Sequence, residues 1–322
     1  MMEVVSCGPL ITLQDRGRPG HLSQGLAEGG AADRQALREA EALLGTIGAG
    51  LEIPGSPLTL RLTTDTRIAL TGAEMSADVD GRPLVWHAAH PLPAGSVLRL
   101  RPGTAGIYSY LHVTGGFDAP EVLGSRAAHL IANIGAPLAP GDRLDHAPSV
   151  GAASRVTPAD RFGGGLLRIV ETPQTRLFPP DDLTRFENTA FTRDPRGNRQ
   201  GVRLASNGAG FATEGQLNLL SDFILPGDVQ MTGDGVPYIL GPECQTTGGY
   251  PRIGTVIAAD LPRALQALPG APLRFRFVPL AEARALTVPA PQVTPLTRDP
   301  AEMGDLLGLN LIGGVVSAKE TE

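Results

Sequence analysis

The chain repeats itself, and the repeat is the strongest constraint on its fold. Leu92-Pro93-Ala94-Gly95-Ser96-Val97 resembles Leu225-Pro226-Gly227-Asp228-Val229, and each run leads through a hydrophobic segment to Thr-Gly-Gly-aromatic, at 114–117 and again at 247–250. Pro140-Gly141 with Leu144 matches Pro269-Gly270 with Leu273, and Asp15-Arg16-Gly17 matches Asp194-Pro195-Arg196-Gly197. The period is too long for a solenoid unit, so it reads as two related β domains, the first carrying an extra helix and hairpin. The chain has 41 Gly and 29 Pro, scattered between short Val/Ile/Leu runs, a pattern of many short strands and turns. We place the first domain at 1–150, a linker rich in Ala, Ser and Gly at 151–165, the second domain at 166–285, and a Pro-rich extended tail at 286–322. That tail starts a short helix at Asp299-Pro300 and ends in the apolar run Leu309–Val316, which would dock on the body or on a partner.

Local signals place several elements. A strand over Val4–Leu13 is broken at Gly8-Pro9. Asp33 is an N-cap for a helix whose apolar stripe is Ala36, Leu37, Ala40, Leu43 and Leu44, and Gly45 can end it. Asp80-Gly81 marks a tight hairpin. Strands are expected at Leu58–Leu62, Tyr108–Val113, Leu166–Val170, Gly201–Leu204, Asp228–Met231, Val236–Leu240, Ile253–Ala258 and Leu273–Val278, with short helices at Leu183–Glu187 and Leu261–Leu268.

Composition excludes several function classes. A net charge of −6 with no basic patch argues against a nucleic-acid surface. Of 27 basic residues only Lys319 is a lysine, so the body offers no Walker lysine, Schiff base or amine general base. Anion contacts must come from Arg or backbone N–H groups. Cys7 and Cys244 supply neither a disulfide framework nor, with the six histidines, a metal-ligand spacing, and we expect no metal. No signal peptide and no membrane-spanning run is evident, which makes the cytoplasm the expected compartment. His87 and His90 read as surface or packing residues, and His112 as a satisfied sheet residue.

The chemistry is expected in three polar loops. The first is Gln245-Thr246-Thr247-Gly248-Gly249-Tyr250, which sets an amide, two hydroxyls and a phenol on a glycine-opened backbone. The earlier copy, Thr114-Gly115-Gly116-Phe117, is explained by turn chemistry alone. The other two are Gln14-Asp15-Arg16-Gly17-Arg18-Pro19-Gly20 and Asp194-Pro195-Arg196-Gly197-Asn198-Arg199-Gln200-Gly201, each pairing a carboxylate with arginines. Such pairs either hold the loop's shape or form a pocket for a carboxylate or amide.

The ordered set Thr-Leu-Gln-Asp-Arg-Gly-Arg-Pro-Gly at 12–20, Leu-Glu-Ile at 51–53, Ala-Leu-Thr-Gly-Ala at 69–73, Gly-Gly-Phe-Asp at 115–118, Leu-Gly-Ser-Arg at 123–126 and Gln-Thr-Thr-Gly-Gly-Tyr-Pro-Arg-Ile at 245–253 resembles one family. It is the biotin-dependent carboxyltransferase / allophanate hydrolase subunit 2 family, also called the KipA family. Three places differ from the family pattern: Glu243-Cys244 stand for Asp-Arg, Arg252 for Lys, and Ala27–Asp33 for a proline-rich loop. The resemblance implies an all-β chain of two cyclophilin-like β-barrel domains with a few short helices. It implies a KipI-like partner protein and, in a 5-oxoprolinase-type assembly, a LamB/YcsF-like one besides. The implied reaction is ATP-dependent opening of 5-oxo-L-proline to L-glutamate, or carboxyl transfer to a urea-like amide. ATP is then used by the assembly, and any biotin comes from another polypeptide. Both substrates need donors for an oxyanion and an acceptor for a proton on nitrogen. The resemblance assigns Gln245, Thr246 and the Gly248-Gly249 backbone to the donor role and Asp15 or Asp194 to the acceptor role. Arg16, Arg126, Arg199, Thr247 and Tyr250 contact substrate in this reading, with Arg126 or Arg199 holding a carboxylate. The alternative is a non-catalytic module that sequesters a KipI-type kinase inhibitor.

Overall fold

A computed structural model of the chain describes residues 1–211 and 219–297. The expected helical turn at Asp299-Pro300 and the run Leu309–Val316 lie outside the described residues. The chain is all-β with few short helices, as the spacing of Gly and Pro predicts. In the first unit, a six-stranded and a seven-stranded sheet share one core. Alternation along Leu58–Leu62 (buried, half-buried, buried, exposed, buried) turns Leu58, Leu60 and Leu62 into that core. The central strand Tyr108–Val113 is buried at every position, between Gly50–Pro54 and Thr66–Gly72. The expected hairpin pairs Ser76–Val79 with Arg82–Leu84, and Asp80 and Gly81 both take positive φ, +49° and +82°, as a type I′ turn requires.

The second unit is a closed barrel of seven strands. Its core is aromatic: Phe186 of the helix Pro180–Asn188 stacks on Phe275 at 4.6 Å between centroids and meets Phe191 and Phe211. The repeat is visible in the backbone. Gly95 and Gly227 take φ of +87° and +96°, and Gly141 and Gly270 take +92° and +83°, at matching turns. Within 151–165, Ser154–Val156 forms a strand between Ala88–Leu92 and the late strand Val293–Pro295, so the chain returns to the first unit after the barrel.

The two units share apolar and polar contacts. Ala31, Ala32, Ala36, Leu37, Tyr108 and Tyr110 belong to the same buried cluster as the barrel core. The Gln266 carboxamide accepts from the N–H groups of Ile107 and Tyr108 at 2.9 and 2.8 Å and donates to Asp33 Oδ2 at 2.8 Å. Among the described residues, no helix is long and apolar enough to cross a membrane.

Candidate functional site

Three loops meet where the units face each other. Gly29 N donates to Pro242 O at 3.0 Å, Glu243 N to Arg199 O at 3.0 Å and Gly241 N to Gln200 O at 2.8 Å. These bonds press segment 241–247 against segment 27–30 and the Arg199 loop. At the centre is a buried ion network. Arg199 donates from Nε to Glu243 Oε1 at 2.6 Å, from Nη1 to Glu52 Oε1, and from Nη2 to Gly30 O at 2.7 Å. Glu52 also accepts from Tyr110 Oη at 2.6 Å and Ala32 N at 2.8 Å. Burial alone would pull Arg199 down, but the charges of Glu52 and Glu243 outweigh it and raise the guanidinium above its ordinary value. Burial pushes Tyr110 well up, with Glu52 adding to the shift.

Beside this network lies a cavity of about 460 Å³, lined by Leu26, His129, Ala132, Gln245, Thr246 and Thr247 among others. The side chains of Gln245 and Thr246 bond to no other described residue. Gln245 is exposed and Thr246 is buried against the wall. Thr247–Gly248 pairs with Asp222–Phe223, and Ile224 N donates to Thr246 O at 3.1 Å, so the loop's backbone is fixed while the Gln245 and Thr246 side chains bond to no other described residue. A β-carbon at Gly248 would lie 2.8 Å from Gln230 Nε2, so a larger residue there would have to push that side chain aside. Tyr250 is 47% exposed and lines a second cavity of about 220 Å³ on the loop's other side, with Gln245 and Cys244. Burial pushes the Cys244 thiol up to about 12, with Asp228 adding to the shift, so it stays protonated and is no nucleophile.

The other predicted residues are placed differently. Asp15 accepts from Gly17 N at 2.8 Å, Ser125 Oγ at 2.6 Å and Arg126 N at 2.7 Å, so it ties its own loop to segment 125–126. Asp194 does the same in the repeat, accepting from Arg196 N at 2.9 Å, from the Arg196 guanidinium at 2.7 and 2.8 Å, and from Arg203 at 3.0 Å. Hydrogen bonds from Arg196, with Arg203 behind them, hold its carboxyl well below the usual carboxylate range. Neither carboxylate lines the Gln245 cavity. Arg16 pairs with Glu41 on the exposed surface, and Arg126 donates to Ala119 O at 2.9 Å. Arg252 spends its donors on Gln174, Phe223 O, Asp228 and Asp222. Thus Gln245, Thr246 and Thr247 come together at one cavity, while Asp15, Asp194, Arg16 and Arg126 do not line it.

One lining residue carried no sequence signal. His129 Nδ1 accepts from Ala132 N at 3.2 Å, capping a short turn, and burial lowers its pKa against the opposing pull of Glu243. Nothing near it in sequence marks it, because the cavity it lines is closed by residues of other loops, 25–27 and 244–247. His112 also differs from expectation. It is fully buried, yet both ring nitrogens lack a partner among the described residues, because the ring fills the space left by Gly50 rather than facing a polar group. His87 is half-buried and His90 buried, with His90 Nε2 2.8 Å from Val85 O.

The chain belongs to the family described as carboxyltransferase domain, subdomain A and B, whose model matches residues 24–277. It is 35% identical over 297 residues to the C-type subunit of 5-oxoprolinase from Escherichia coli (strain K12), covering 88% of this chain and 93% of that one. It is 31% identical to the corresponding 5-oxoprolinase protein of Haemophilus influenzae, covering 89% of this chain and 94% of that one. The crystal structure of the K. lactis urea amidolyase superposes with a TM-score of 0.79 at 25% identity, covering 88% of this chain and 19% of that one. These relatives are enzymes or enzyme subunits, and the chain is homologous to them over most of its length.

Proposed function

We propose that the chain is the amide-binding member of an ATP-dependent assembly that opens 5-oxo-L-proline to L-glutamate. It works with two other proteins, one KipI-like and one LamB/YcsF-like. In the net reaction the lactam C–N bond breaks, one water supplies hydroxyl to the carbonyl carbon and a proton to nitrogen, and a second water is consumed as ATP becomes ADP and phosphate. Addition to the carbonyl gathers negative charge on its oxygen. Donors fixed in advance for that oxygen are worth most in a site screened from water. The observation that carries the reading is the pair of uncommitted donors, Gln245 and Thr246, on a fixed backbone at the wall of the 460 Å³ cavity. The near full-length match to the two 5-oxoprolinase proteins supports 5-oxoproline over urea.

The test is glutamate release from 5-oxo-L-proline by the reconstituted assembly. Gln245→Ala should lower turnover by about 10²-fold if its contact forms in the transition state, with melting temperature and partner binding unchanged. Unchanged turnover removes Gln245 from the site. An inactive wild-type assembly rejects 5-oxoproline, and urea with a biotin-dependent partner is then the substrate to assay.

A further inference from the structure

Two buried side chains beside the Gln245 cavity carry nitrogens that meet no partner among the described residues. Arg18 is fully buried: its Nε donates to Val122 O at 3.3 Å and its Nη2 to Ala127 O, but Nη1 has no acceptor. His129 is 3% exposed and lines the cavity. Its Nδ1 takes a hydrogen bond from Ala132 N, so the neutral ring carries its proton on Nε2, and Nε2 has no partner either. Both side chains lie against Gly29. A β-carbon at Gly29 would lie 3.2 Å from His129 Cδ2, the atom bonded to Nε2, and 3.4 Å from Arg18 Nη1. Gly29 takes a φ of +66° that favours glycine, and its N is tied to Pro242 O, one residue before Glu243.

Buried donors are normally satisfied, and leaving them unpaired is costly. The nearby carboxylates do not serve. Asp15 is held by Gly17, Ser125 and Arg126, and Glu243 and Glu52 by Arg199. Arg199, an arginine the sequence offers for a ligand, has Nε, Nη1 and Nη2 all committed, whereas Arg18 Nη1 meets no partner among the described residues. We propose that Arg18 Nη1 and His129 Nε2 form a two-donor subsite that receives an sp² oxygen, carbonyl or carboxylate, of a small amide ligand held by Gln245 and Thr246. This rests on the amide-processing reading above.

The experiment follows the imidazole nitrogen resonances of the full-length chain, labelled at histidine, while 5-oxo-L-proline, 2-pyrrolidone and sodium acetate are titrated in turn. Binding of 5-oxo-L-proline should shift the His129 Nε2 resonance. Arg18→Met and His129→Phe should each raise Kd about 10-fold or more, the loss expected for a hydrogen bond to a charged or buried donor. Equal sensitivity for 2-pyrrolidone places the carbonyl in the subsite, and sensitivity only for 5-oxo-L-proline places the carboxylate there. If a lactam binds with His129 unshifted and the variants bind equally well, the subsite is overturned while the amide reading stands. If no lactam binds, the amide reading falls and acetate decides: a shift at His129 Nε2 keeps the subsite and its absence overturns it. Should either variant fail to fold, the wild-type resonance settles the matter alone.

Discussion

His112 shows what burial does to a single residue here. Enclosed between Gly50 and Tyr110 with no hydrogen-bond partner, it is pulled down by desolvation to about 4. It is neutral when folded and takes a proton once unfolded below its ordinary value, so the unfolded chain binds more protons between pH 6.5 and 4. A depressed folded pKa contributes stability above the unfolded pKa that is lost as pH falls toward the folded one. This residue's share of the loss should reach about 3 kcal/mol by pH 4. Urea unfolding of His112→Leu across that window should show a shallower pH slope than wild type, and an unchanged slope would remove His112 as its source. At this scale the sequence is least informative. It marks Arg199 as a cation beside glycines, but nothing local reveals that Glu52, 147 positions away, takes its charge. Asp15 and Asp194 are legible as loop carboxylates, and their bonds two residues on, to Gly17 and Arg196, are the local turn that such residues favour.

The helix Arg34–Leu44 shows which elements were legible and why. Asp33 accepts from Gln35 N and Ala36 N at 3.0 and 3.1 Å, and the buried face is the predicted stripe with Glu39 added. Cap and stripe are local, so the sequence displays them. Glu39 is buried because Arg161 reaches it from outside the helix, at 2.7 and 2.9 Å, and also pairs with Asp33 at 2.6 Å. Asp33→Ala therefore removes a cap and leaves Arg161 and Gln266 short of a partner at the seam. It should cost about 3–5 kcal/mol in urea denaturation. A cost below about 1 kcal/mol, the size of a cap alone, would show that the seam network carries no stability. The two Thr-Gly-Gly copies make the same point. Gly115 and Gly116 both take positive φ, +79° and +87°, so turn chemistry explains them, whereas Gly248 and Gly249 do not, and Gly248 is instead packed against Gln230 Nε2. The late strand Val293–Pro295 and the helix Leu280–Ala285 carry too weak a pattern to be read among prolines and alanines.

For the whole molecule, the repeat explains the architecture but not the site. Each repeat supplies a Thr-Gly-Gly segment and an aspartate-held loop, and in the second copy Gln245–Thr247 faces the first unit across the cavity. The cavity exists because segments 25–27 and 129–132 of the first unit face Gln245–Thr247 of the second. Such a seam belongs to tertiary placement, which is why His129 and Arg18 escape a reading along the chain. The central claim is that this seam holds the amide substrate. Its most direct test is the difference density in crystals of this chain with its partner proteins, soaked with 5-oxo-L-proline. The account predicts a lactam between Gln245, Thr246 and His129, with one oxygen directed at His129 Nε2. A lactam bound elsewhere, with this cavity holding only solvent, would contradict it.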